Sequence, residues 1–238
     1  VIHLAGESIS GLWTAKKRKA IMDSRVLGTK LLANTVARLK QPPRMFLSAS
    51  GVNTYGPTGD LILTEETPIG NDFLSRVCVA WEAELKPLQE AGIRTAIMRT
   101  GVVLSAKGGA LQKMLLPFKM GLGGVVGSGK QYMSWISLED WLYAAHHLMM
   151  NEDCDGVFHL VSPQPLTNRE YTKVLGRVLR RPTILPAPSF AIKTVLGEMG
   201  EALLLGSARA VPNRLEQVGF VFVSPSLEQT LRMTLGKM

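Results

Sequence analysis

Few side chains among these 238 residues stand at spacings that reactive chemistry needs. Ser50 closes the apolar run "MFLSAS", and a hydroxyl there can bond a substrate carbonyl or cap a strand end. Without a base beside it, such a hydroxyl is a weak catalyst. Arg25, in "SRVLGT", lies midway along a helical stretch, where a guanidinium can hold a phosphate by paired bonds or a surface carboxylate by a salt bridge. Cys78 and Cys154 belong to no paired motif, so free thiols in a reducing compartment are expected, with Cys78 a buried small residue. His3, His146, His147 and His159 have no ligand-like spacing with Cys or carboxylates, so no metal is expected. Tyr143 and His147 share a helix face and read as a packing pair. Gly123, Gly124, Gly127 and Gly129 form a loop that can cover a substrate or merely turn the chain.

The elements that hold these residues alternate. Val1, Ile2 and Leu4 read as a strand, followed by a helix from Trp13 to about Leu39 that stops before "QPPR". "MFLSAS" reads as the next strand, and Asp72 as the cap of one helix running to Gly92. Strands follow at "IRTAIMRT", "QYMSWI" and "GVFHLV", with a helix capped by Ser137 before the last of them. Alternation from residue 1 to about 160 predicts an α/β protein with a doubly wound parallel sheet. A proline-punctuated, α-rich subdomain is expected over 161–238.

Composition narrows the function. Apolar residues make up 46%, enough for a sizeable core, and no run is long enough to span a membrane. The net charge of +8 is densest at Lys16–Lys19, "KKRK", which reads as a solvated helix face; no nucleic-acid or membrane partner is expected.

Four stretches occur in a telling order: "HLAGES" after a strand, "SRVLGT" in the next helix, "LSASGVNTYG" after a second strand and "RTGVVL" ending a third. The chain resembles the extended short-chain dehydrogenase/reductases, in particular their atypical epimerase-family branch with its C-terminal domain of unassigned function. The likeness continues through "GSGKQYMSWISLEDW" and "LRRPTILPAP" to "VPNRLEQVGFVF".

The resemblance implies a Rossmann-like fold in which the opening strand is the fourth of the sheet. The strands and glycine-rich turn that normally precede it are then expected upstream of Val1. It implies NADP, in preference to NAD, as cofactor. Leu4, Ala5 and Gly6 would approach its adenosine side, Arg25 would face it, and the backbone of Val102 and Val103 would lie near the nicotinamide. Ser50 falls where the superfamily keeps its active-site Ser or Thr, with Ser48 as a second register. Relatives pair Tyr with Lys four residues later, so that the Lys lowers the phenol's pKa. Here Leu74 and Cys78 take those two places, and none of Tyr55, Tyr132, Tyr143 or Tyr171 has the Lys. The expectation is an NADP(H)-dependent epimerase or oxidoreductase acting on a small molecule, sugar nucleotides included. A weakly catalytic, dinucleotide-binding regulator is the alternative, since the family includes members linked to cell or plastid division. A cytoplasmic site is expected, or an organelle if a targeting segment precedes Val1. Oligomeric state is not readable.

Overall fold

A computed structural model describes residues 1–237. The chain runs through β1 (Ile2–His3), α1 (Ala15–Ala37), β2 (Met45–Gly51), a 3-10 turn at Val52–Tyr55 and β3 (Ile62–Leu63). Next come α2 (Phe73–Ala83), α3 (Lys86–Glu90), β4 (Arg94–Thr100), β5 (Val102–Leu104) and α4 (Gly109–Lys119). β6 (Tyr132–Met133), β7 (Trp135–Ser137), α5 (Leu138–Met150), β8 (Gly156–Leu160), β9 (Leu166–Thr167) and α6 (Asn168–Leu179) follow. The rest holds α7 (Ser189–Gly200), a π-helical turn (Glu201–Leu205), β10 (Arg209–Ala210), α8 (Asn213–Gln217) and α9 (Leu227–Leu235).

The main sheet has the order β1-β2-β4-β8, and every pair in it is parallel. Its strands alternate as a two-faced sheet requires. Phe46 and Ile97 face one side, packing with Ala33 and Val36 of α1 and Leu88 of α3. Met45, Leu47, Ala96 and Met98 face the other, against Ala144 and Leu148 of α5. Helices on both faces of a parallel sheet are the doubly wound arrangement that the alternation predicts.

Three local outcomes have clear causes. The single helix expected from Asp72 to Gly92 is two, because Pro87 has no N–H to continue α2 and instead sits in the first turn of α3. Asp72 and Ser137 do cap α2 and α5, accepting from the backbone N–H of Ser75 and Asp140. The strand expected in "QYMSWI" divides at Ser134: β6 pairs antiparallel with β9, while β7 pairs parallel with β5. Ser134 spends its hydroxyl on the carbonyl of Ala208, 2.8 Å away, tying this junction to the C-terminal stretch.

The apolar cores ignore residue 160. Leu215 and Phe220 complete the cluster beneath α5. Tyr171, Leu175 and Val178 of α6 and Leu231 of α9 complete another with Leu104, Leu111 and Trp135. β1 has β2 on one side and no second neighbour among the described residues, leaving Ile2 and Leu4 48% and 52% exposed.

Candidate dinucleotide cleft

The carboxyl ends of β2 and β4 open into a cleft of about 1610 Å³. One wall is the sheet with α1 and α2; the opposite wall comes from α4, β6, α6 and residues 187–208. Ligands of open α/β sheets bind at this end of the strands. Leu4, Arg25, Ser50, Val102 and Val103 all line it. Ala5 and Gly6 do not. Gly6 instead makes room for Arg25, since a Cβ there would stand 3.1 Å from the guanidinium carbon. The backbone N–H of Val102 is taken by the carbonyl of Ser134 at 2.8 Å, so it is not free for a ligand.

Arg25 has a consistent set of contacts. Its guanidinium donates to the carbonyls of Glu7 and Ile21, at 3.0 and 3.1 Å, and lies 5.2 Å from the Trp81 ring centre. Among the described residues it makes no carboxylate pair; nearby Glu7 pairs with Lys17 instead. Burial holds its pKa below the usual arginine range. The indole N–H of Trp81, which also lines the cleft, is buried without a partner.

Ser50 is the end of a buried polar chain that sequence reasoning missed. Its hydroxyl donates to Glu82 Oε1 at 2.6 Å. Arg99 donates to both oxygens of that carboxylate, at 3.0 and 2.7 Å, and to the Tyr55 hydroxyl at 2.8 Å. Tyr55 lies 2.6 Å from Nε2 of His159, whose Nδ1 is 2.9 Å from the carbonyl of Val211. A carbonyl can only accept, so Nδ1 carries the proton and Tyr55 donates to Nε2. Burial lowers the His159 pKa and keeps the ring neutral; it also pushes Tyr55 up to about 12. For Arg99, burial opposes the charge, but the bonds and charge of Glu82 outweigh it and raise the pKa. The signal in the sequence was a pair of opposite charges inside otherwise apolar elements. Glu82 continues the stripe Leu74, Cys78 at helical spacing, and Arg99 interrupts "AIMRT".

The places of the missing Tyr–Lys pair are apolar in space as well as in sequence. Leu74 and Cys78 both line the cleft and are buried. Burial pushes the Cys78 thiol up to about 11, so it is no ready nucleophile. Ser48 is fully buried, bonds the carbonyl of Ala49 and does not line the cleft, so that register fails. Tyr143 and His147 bond Glu139 and the carbonyl of Val218, not one another. Carboxylates pair with three of the four cations of the "KKRK" run: Lys17 with Glu7, Arg18 with Glu198 and Lys19 with Asp23. The glycine loop is pinned by Val126 bridging to Ala187, and a Cβ on Gly124 would overlap the carbonyl of Leu185. No metal-binding cluster occurs among the described residues, and none of their helices is long and apolar enough to cross a membrane.

A doubly wound parallel sheet with helices on both faces and a cleft at the carboxyl ends of its strands makes this a Rossmann-type α/β protein. The chain belongs to the NAD dependent epimerase/dehydratase family, whose model matches residues 1–173; a domain of unknown function, DUF1731, matches 187–233. It is 39% identical over 232 residues to the epimerase family protein MT2273 of Mycobacterium tuberculosis, covering 97% of this chain and 76% of that one. It is 36% identical to YfhF of Bacillus subtilis, covering 99% and 77%. The crystal structure of human epimerase family protein SDR39U1 with NADPH superposes with a TM-score of 0.95 at 32% identity, covering all of this chain and 81% of that one.

Proposed function

We propose that the protein binds NADPH along this cleft and is an oxidoreductase or epimerase acting on a small carbonyl or hydroxyl compound. The observation that carries the reading is Arg25, a partly buried cation in the lining with no carboxylate partner, stacked near an indole whose N–H is also unpaired. A phosphate-bearing ligand suits that pair, and the similar human protein is solved with NADPH. When bound, the dinucleotide would supply hydride chemistry. The chain's own contribution is orientation. Arg25 would hold a phosphate, and Val102 and Val103 would line the nicotinamide end. Ser50 is held by Glu82 with its proton engaged, so its lone pairs can accept from a substrate hydroxyl. A substrate carbonyl would need the Ser50 hydroxyl to turn away from Glu82 before it could donate.

Leu74 and Cys78 support the second reading, a dinucleotide-binding regulator with slow chemistry. General acid–base catalysis typically contributes about 10²–10⁴-fold, and the usual pair for it is absent here. One experiment separates the possibilities. NADPH is titrated into folded wild type and Arg25→Ala, and turnover is assayed beside Ser50→Ala. The variant at Arg25 should bind about 1.5–3 kcal/mol more weakly, the range for hydrogen bonds to charged groups. Equal dissociation constants would remove Arg25 from the site. Bound NADPH with no turnover of any carbonyl would favour the regulator.

A further inference from the structure

Residues 187–207 leave the wall opposite the sheet, reach the sheet wall and return. Both ends are fastened on the side they start from. Ala187 donates to the Val125 carbonyl at 2.9 Å and accepts from the Gly127 N–H at 2.8 Å. At the far end, the Leu204 carbonyl accepts from the Gln131 side chain at 3.0 Å, and the Ser207 hydroxyl accepts from the Tyr132 N–H at 3.0 Å.

The middle is fastened across the cleft. Glu198 pairs with Arg18 of α1, 180 positions away in the chain. Ala202 and Leu203 pack on the cluster of Ile21, Phe73, Leu74 and Val77, which belongs to α1 and α2. The Arg18 guanidinium in turn stands 4.3 Å from the centre of the Phe73 ring. Glu198, Ala202, Leu203, Phe73, Leu74 and Val77 all line the cleft, so this seam joins its two walls. It lies one turn of α1 from Arg25, whose guanidinium bonds the Ile21 carbonyl.

The seam is lightly made. The Arg18 and Glu198 side chains are 34% and 46% exposed, and a pair so open to water holds weakly. Ala202 and Leu203 are only partly buried. The backbone has a bend on each side of the seam: Gly197 breaks α7 just before Glu198, and Gly206 follows Leu205.

We propose that residues 197–206 are a strap that lifts from α1 and α2 to admit a ligand and reseats over it, with the Arg18–Glu198 pair as its latch. Its part in nucleotide binding rests on the NADPH reading, and the strap itself is tested without nucleotide. Cys78 lines the cleft one turn beyond Leu74 and reports access to it. Its alkylation by N-ethylmaleimide is timed by peptide mass spectrometry in wild type, Glu198→Gln, Leu203→Ser and the exchanged pair Arg18→Glu/Glu198→Arg. Cys154, fully buried and outside the cleft lining, reports global unfolding in the same samples. NADPH binding and release are then followed in each protein by stopped-flow fluorescence.

Glu198→Gln and Leu203→Ser should each speed Cys78 alkylation about 1.5- to 5-fold, the worth of one part-exposed pair, with Cys154 unchanged. The exchanged pair should return the rate to within about 1.5-fold of wild type. NADPH association and dissociation should quicken together in the single variants, leaving the dissociation constant within about 2-fold, because a gate changes passage in both directions. Unchanged Cys78 alkylation in both single variants would overturn the strap, as would an equal rise at Cys154. Faster NADPH release with association unchanged would also overturn it, since that is the mark of a plain ligand contact. An exchanged pair as fast as Glu198→Gln would remove the latch. No NADPH binding by wild type would count against the cofactor reading alone, and the alkylation rates would then decide the strap.

Discussion

At the strand ends, Ser50, Glu82, Arg99, Tyr55 and His159 satisfy one another in an unbroken chain, with the Arg99 and Glu82 side chains only 6% and 12% exposed. Across the cleft, Ser189–Leu205 buries a single residue, Gly200. Its helix is broken at Gly197, whose φ of 57° lies in the left-handed region that favours glycine. What anchors it is mostly exposed: the ion pairs Arg18–Glu198 and Lys193–Glu201, and a bond from Gln131 to the carbonyl of Leu204. The contrast separates two jobs. A fixed wall sets the direction of one hydroxyl, while a lightly held wall can adapt to what is bound, as segments with few buried contacts do.

The sharpest way to break this contrast is at the centre of the fixed wall. Arg99→Met should destabilise the protein by about 3–5 kcal/mol, because Glu82 is left as a buried charge without its partner. Urea unfolding measures it, and a change below about 1 kcal/mol would mean that the network does not hold the wall.

Acid should act on the same wall, more gently. His159 and His3 both have pKa values lowered from 6.5 by burial. Between that value and the lower folded ones, the unfolded chain binds more protons than the folded chain does. Stability is therefore full above about pH 6.5 and declines as pH falls below it. Unfolding midpoints at pH 7 and pH 5 test this, and His159→Gln should flatten part of the slope. A slope unchanged in that variant would remove His159 as its source.

The smallest effect belongs to the adaptable wall. Lys193→Ala removes a pair whose side chains are 52% and 58% exposed, and should change stability by less than about 1 kcal/mol. A loss as large as that of Arg99→Met would erase the difference between the walls.

The sheet was largely legible because strand periodicity and burial are local signals. "MFLSAS" and "IRTAIMRT" became neighbouring parallel strands with Ser50 opposite Arg99. Of the residues that the resemblance and not their spacing pointed to, Leu4, Arg25, Ser50, Val102 and Val103 line the cleft, while Ala5 and Gly6 do not. The polar chain was hidden for a physical reason. Its links join residues 32, 17, 44 and 104 positions apart, so no local pattern brings them together. The role expected of Ser50 also changed: a free donor in the sequence is, in the fold, a hydroxyl already committed to Glu82. The split of the second long helix was readable from Pro87, and the run of helix formers around it masked the break.

Apolar cores that draw side chains from both sides of residue 160 set a limit on exchange. Grafting the C-terminal stretch of one relative onto the sheet of another would join surfaces that were shaped against different partners. Leu215 and Phe220 would meet a foreign α5, and Leu175 and Leu231 a foreign Trp135. Hybrids of this family should tolerate junctions in exposed loops better than one drawn at the end of β8, where the cut passes through the packing itself.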